Sequence, residues 1–271
     1  MTNRTYLIGA FSSGEMAQPY FDSLKVLGDS VTPIIIQYQH KGEFQKVNVP
    51  LNVKLIKLAK DYSGNTGKHK DFREYIAPIL TGEDWTIFTD MHDVVFQAPL
   101  PEFPDVNILV ASEGKMFGQI NFWKDLFPVS MWADQAYNVG CFAMRTSLVK
   151  DFWELLFIDW MKFVDWYKTG TIPQIKGGFP FNAPAFPQRL KDELAIIFNG
   201  FYDTMFFNEF IKEYQSKEEL EGLFGVYAYN FEVGNIVKKN GVLYTKEDKK
   251  ISIAHYNGLS SDGRKEQGGG E

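Results

Sequence analysis

The chain has 271 residues, of which 45% are apolar and 16% aromatic, and a formal net charge of −6. That length and apolar content suffice for one large domain or two small ones with a substantial core, and they exclude a disordered chain. The acidic balance argues against nucleic acid as the main partner, and the one cysteine, Cys141, excludes an intrachain disulfide and suits a reducing compartment.

The opening "MTNRTYLIGAF" has too short an apolar run for a secretory signal, and residues 5–11 predict a first strand. Residues 12–28 follow with Met16, Tyr20, Leu24 and Leu27 at helical spacing, and Ser12 or Ser13 is placed to cap that helix. The turn "GAFSSG", with Ala10, Phe11 and Ser12, is neither a Rossmann nor a Walker loop, and is kept as a nucleotide-loop candidate. Strands are predicted at 31–39 and 52–59, then a polar loop over 60–70 and a helix from Asp71 to Leu80.

Trp85 to Thr89 favour a pleated strand, as do residues 106–112. Asp90, Met91, His92 and Asp93 separate the first of these from Val94-Val95-Phe96. Acidic residues are depleted in strands, so the pair either holds a hard cation at a strand end or forms a turn with one capping and one solvated carboxylate. Strands alternating with helices predict an α/β fold, a mainly parallel central sheet flanked by helices, with ligands at the carboxyl edge.

The second half is less regular. Residues 136–145 mix β-formers with Asn138 and Gly140. The segment 151–170 reads as a buried amphipathic helix or as a membrane-surface helix anchored by Trp153, Trp160 and Trp166. Residues 177–188, rich in Pro, Gly and Phe, predict an irregular flap. A helix is predicted at 203–214, a hairpin about Asn240-Gly241, and a last strand at 251–258. The tail 259–271 has no apolar content and is expected to be disordered. No apolar stretch reaches the roughly 20 residues of a membrane span.

Four segments in this order, "FTDMHDVVFQ" (88–97), "YNVGCFAMR" (137–145), "DTMFFN" (203–208) and "HYNG" (255–258), resemble a glycosyltransferase of the GT-A fold, in the branch of glycogenin and bacterial galactosyltransferases. The resemblance implies a single GT-A domain over 1–258, with about 1–112 as the nucleotide-binding half and 113–258 as the acceptor half. It implies a metal-dependent enzyme that moves a sugar from a nucleotide-diphospho-sugar, UDP-sugar foremost, to a glycan or lipid-linked glycan acceptor, with retention. Mn²⁺ or Mg²⁺ would be held by Asp93 and His255, and Asp90 would either join them as a ligand or accept a hydrogen bond from the ribose. The family's usual motif is Asp-x-Asp, whereas this chain has Asp90-x-x-Asp93, and the Lys-Pro-Trp that usually follows the late histidine is missing. Read from its residues alone, His255 is better explained as a strand-end histidine with a backbone partner, and the metal role comes from the resemblance.

By the same resemblance, Asn138 and Gly140 would meet the donor sugar. Lys70 and Arg73, with Lys68, would bring positive charge to the sugar or phosphate end. Asp203, Asp134 and Gln135 are catalytic candidates near the anomeric carbon. Asp203 equally reads as a helix N-cap, and the basic helix start as a solvated one. Trp123, Trp132, Phe179, Phe181 and Phe186 would stack on acceptor sugars, or are core. The chain is expected in the cytoplasm, with the lysines near 238–250 as a surface for peripheral membrane contact.

Two other readings compete. A phosphatase with an aspartate nucleophile needs its Asp-x-Asp after the first strand, and here the spacing and position differ. A catalytically inactive nucleotide-sugar or carbohydrate-binding module of the same fold would bind without turnover.

Overall fold

The computed structural model describes residues 5–62, 64–82, 84–116, 119, 133–169, 204, 207–208, 210–212, 217–227 and 236–256. In chain order these form β1 (Thr5–Phe11), α1 (Gly14–Ser23), β2 (Val31–Gln39), β3 (Lys54–Asp61), α2 (Gly64–Asp71), β4 (Trp85–Thr89), β5 (Val94–Phe96), β6 (Ile108–Leu109), β7 (Ser112–Met116), β8 (Gln135–Tyr137), β9 (Cys141–Arg145), α3 (Thr146–Thr169), β10 (Lys217–Glu218), β11 (Phe224–Val226), β12 (Ile236–Lys239), β13 (Val242–Thr245) and β14 (Ile253–His255).

Seven strands make the central sheet in the order β10-β6-β9-β4-β1-β2-β3. Most neighbours are parallel, and β9 runs antiparallel to both β4 and β6. Side chains alternate across β1. Tyr6, Ile8 and Ala10 join one core with Val149, Phe152 and Trp153 of α3. Leu7 and Phe11 join the other with Ala17, Tyr20 and Phe21 of α1. Both faces are therefore covered, which is why β1 and β2 read as nearly unbroken apolar runs. Among the described residues no helix is long and apolar enough to cross a membrane.

Parallel pairing fixes the functional edge. Ile8 lies opposite Phe88, so the carboxyl ends of β1 and β4 emerge on the same side. A smaller sheet, β11-β14-β5, stands beyond that edge. Its antiparallel pairing sets His255 opposite Val94, one residue after Asp93.

Strands β1 and β2 have the bounds their patterns predict, and Ser13 caps α1. The hairpin β12–β13 turns at Asn240 and Gly241, both at positive φ (49° and 79°), as a two-residue turn matching strand twist requires. Three expectations need correction. The predicted loop 60–70 is the end of β3 followed by α2, and the helix continues through Phe72–Ile76. Its composition is polar, but Lys68 and His69 point inward, and His69 lies edge-on to Phe72 and Phe152. Tertiary contacts, not propensity, hold this turn.

The predicted strand 106–112 is only two residues long: the Val110 N–H makes the last ladder bond, to the carbonyl of Glu218 in β10, and Ser112 already pairs with β8. Within 136–145, as the mixture of β-formers with Asn138 and Gly140 allows, β8 and β9 are separated by a local turn in which the Asn138 side chain accepts from the Cys141 N–H at 3.1 Å. The final strand is Ile253–His255, shorter than 251–258. Two elements, β10 and β11, are too short to announce themselves in sequence. The flap at 177–188 and the tail at 259–271 lie outside the described residues.

Candidate metal centre

The centre is assembled from three chain segments that meet at the carboxyl edge. Strand β4 ends at Thr89, whose hydroxyl meets the Tyr20 hydroxyl of α1 at 2.7 Å. The next residue, Asp90, donates its backbone N–H to the Gly140 carbonyl at 2.7 Å. That bond ties the end of β4 to the turn before β9. Asp93 accepts from the Tyr256 N–H at 2.8 Å through its backbone carbonyl, which fixes it beside the end of β14. The result brings one ligand atom each from Asp90, Asp93 and His255 to within 4.8 Å of one another.

The hydrogen bonds determine the histidine's tautomer. The Cys141 N–H is an obligate donor, so the Asn138 atom it meets must be the side-chain oxygen. That same oxygen lies 2.9 Å from His255 Nδ1. An amide oxygen can only accept, so Nδ1 carries the proton. In a neutral ring Nε2 then presents its lone pair to the Asp93 carboxylate, 3.2 Å away. That is an ion-pair distance. A lone pair facing a carboxylate in a buried place requires a cation between or on them, either a proton or a metal. Burial by itself pulls the His255 pKa down, but the charge and contact of Asp93, with a smaller contribution from the Cys141 side chain, more than offset this and raise it well above the ordinary 6.5.

This donor set fits a divalent ion. Two carboxylates and a neutral imidazole are ligands that Mn²⁺ accepts, while Mg²⁺ prefers an all-oxygen shell. Neighbouring ligands about 2.1 Å from an octahedral ion lie about 3 Å apart, close to the Asp93–His255 separation. Asn138 supplies the outer partner that metal-bound histidines ordinarily have.

Gly140 is the close-approach residue of this centre. A Cβ there would sit 2.3 Å from His255 Cε1 and 2.7 Å from an Asp90 carboxylate oxygen. The absent side chain makes room for the two candidate ligands themselves. Asn138 is buried, and its oxygen engages Cys141 and His255.

Of the three basic residues considered near the site, Lys68 reaches it. Its side chain is 8% exposed and its ammonium pairs with Asp90 Oδ1. Lys70 is exposed. Arg73 forms a fork with Glu154 of α3, at 2.8–3.0 Å. The reason is phase: once α2 begins at Gly64, Lys68 falls on the inner side and Lys70 on the outer.

Asp134 pairs with Lys212 at 2.6 Å, and Gln135 donates to the Ser112 hydroxyl at 2.8 Å within the β7–β8 ladder. Asn208 is tied to β8, accepting from the Tyr137 N–H and donating to its carbonyl, each at 3.0 Å. Ala10, Phe11 and Ser12 are buried at the end of β1, on the same edge as Asp90. Asp203, Trp123, Trp132, Phe179, Phe181 and Phe186 lie outside the described residues. In the basic hairpin region, Lys239 pairs with Asp248, Lys249 with Glu221, and Lys238 lies over the Tyr227 ring.

Two contributors escape a reading of the sequence: the Cys141 backbone N–H, which orients Asn138, and Thr89, which braces the end of β4 through Tyr20. The first had a usable signal, since Asn three residues before a strand residue is a frequent local-turn pattern. A comparison with protein-family models finds no match, and a search of curated proteins finds none either.

Proposed function

We propose that this chain is a metal-dependent glycosyltransferase that takes its sugar from a nucleotide-diphospho-sugar, with UDP the first nucleotide to test and a glycan hydroxyl as acceptor. The observation that carries this reading is the convergence of Asp90, Asp93 and His255, with the imidazole Nε2 turned toward the Asp93 carboxylate, at the carboxyl edge of a mostly parallel sheet. Open α/β sheets take their ligands at that edge. The block β3-β2-β1-β4 followed by antiparallel β9 is compatible with a GT-A domain.

The roles follow from the chemistry of the residues. Asp90, Asp93 and His255 would hold the ion, Mn²⁺ ahead of Mg²⁺ by donor set. A divalent ion supplies Lewis-acid stabilisation of a departing diphosphate, worth several kcal/mol. Lys68 sits where its ammonium can meet an anionic ligand, and Asn138 keeps the imidazole lone pair turned inward.

A binding module without turnover is the second reading. The observation that favours it is the Lys68–Asp90 ion pair, which satisfies one candidate ligand without any metal. Calorimetric titration of UDP, GDP, CDP and dTDP, with and without Mn²⁺, on the wild type and Asp93→Ala tests the proposal. Tight binding of one nucleotide that needs the metal and vanishes in the variant supports it. Metal-independent binding that survives Asp93→Ala overturns the clamp and favours the module. Turnover of the matching nucleotide-sugar then separates enzyme from module.

A further inference from the structure

Each carboxylate of the candidate clamp already faces a basic side chain. Asp93 meets His255 and Asp90 meets Lys68. The Lys68 side chain is almost wholly buried, at 8% exposure, and its partner is 26% exposed. Its helix is anchored independently: at the end of α2, Asp71 accepts from the Tyr38 hydroxyl of β2 at 2.7 Å and pairs with Lys60 of β3. Helix α2 is therefore tied to the sheet, and any exchange of partners by Lys68 falls to its flexible side chain.

We propose that Lys68 is a built-in counter-ion that competes with the divalent cation for Asp90, so that metal is captured firmly only together with an anionic ligand that draws the ammonium away. The inference rests on the metal-clamp reading above and adds an order of events to it. A divalent ion entering beside a buried ammonium meets like-charge repulsion in a medium of low effective dielectric, enough for a change of about tenfold or more in affinity. A diphosphate reverses the balance, because its oxygens offer the ammonium a second partner while bridging to the metal. The site then selects the metal–diphosphate pair over free metal.

The test is calorimetric binding of Mn²⁺ alone, and of Mn²⁺ with inorganic pyrophosphate, to the wild type, Lys68→Met, Lys68→Arg and Asp93→Ala, with thermal melts of each. Lys68→Met is expected to bind Mn²⁺ alone at least about tenfold tighter than the wild type and to lose most of the enhancement that pyrophosphate gives. Lys68→Arg, which keeps the charge, is expected to behave as the wild type. If Lys68→Met fails to fold, Lys68→Gln serves the same comparison. Equal or weaker Mn²⁺ binding by the neutral variant overturns the proposal but leaves the clamp standing, provided Asp93→Ala abolishes binding. No Mn²⁺ binding by folded wild type or folded neutral variant overturns the clamp and the proposal together.

Discussion

Asn138 and His255 are joined across 2.9 Å by a bond whose direction is fixed from outside, because the Cys141 N–H has already claimed the asparagine oxygen as an acceptor. In its neutral form the imidazole therefore shows its Nε2 lone pair, not an N–H, to Asp93. A histidine held in the other tautomer would point a proton at the place a cation needs. Asn138→Ala is expected to weaken Mn²⁺ binding about 10–100-fold, the usual cost of losing an outer partner of a metal-bound histidine. Asn138→Asp keeps the acceptor and is expected to recover much of that loss. Nitrogen NMR of the metal-free protein at high pH reads the tautomer directly: Nδ1–H in the wild type, a mixture in Asn138→Ala. A wild-type Nε2–H signal would refute the assignment.

Gly140 tests the packing of the same centre. A methyl at this position collides with His255 Cε1 at 2.3 Å and with Asp90 at 2.7 Å, and both side chains are held by other bonds. Overpacking of this kind costs about 1–3 kcal/mol. Gly140→Ala is expected to lower the melting temperature by several degrees and to abolish Mn²⁺ binding. Unchanged melting with normal metal binding would mean that the centre has slack the distances do not show.

What could be read in advance depended on the range of the interactions. Strands β1 and β2 and the Asn240-Gly241 turn were legible because alternation, apolar runs and positive-φ residues are local signals. Helix α2 was not, because its polar turns become helical only through contacts from Lys68 and His69 to distant segments. That boundary has a consequence at the site: Lys68, Lys70 and Arg73 all read as candidates to face the ligand, and the phase of the helix brings only Lys68 to Asp90 while Arg73 pairs with Glu154. The residue types of the centre were legible one by one. Their convergence was not, since it depends on the register that sets His255 opposite Val94 and on the Gly140 carbonyl that captures Asp90.

Arg73 therefore becomes a structural prediction. Its guanidinium meets both carboxylate oxygens of Glu154, with both side chains more than a third exposed. A pair of that exposure contributes only about 0.5–1 kcal/mol. A double-mutant cycle of Arg73→Ala and Glu154→Ala, followed by chemical denaturation, should give a coupling of about that size. Mn²⁺ and nucleotide binding are expected to be unchanged within about twofold. A large loss of nucleotide affinity in Arg73→Ala, without a matching loss in Glu154→Ala, would return Arg73 to the ligand site.

The last prediction concerns pH. Burial, the largest single effect, lowers the His255 pKa, Asp93 and the Cys141 side chain together raise it further, and the net is well above 6.5 in the metal-free fold. Two consequences have opposite signs. The folded value lies above the unfolded one, so the pair's contribution to stability is complete below about pH 6.5 and is lost as pH rises through the higher folded value. A metal needs the deprotonated nitrogen, so below that folded value each pH unit should raise Mn²⁺ affinity about tenfold, with one proton released per ion, and above it the affinity should level off. Melting curves of the metal-free protein and Mn²⁺ titrations across pH 6 to 9 would record both. In His255→Gln the proton release should disappear and the affinity should be low and nearly flat across this range. Mn²⁺ affinity in the wild type that is flat across the same range would show that His255 is not a ligand, whatever its distance from Asp93.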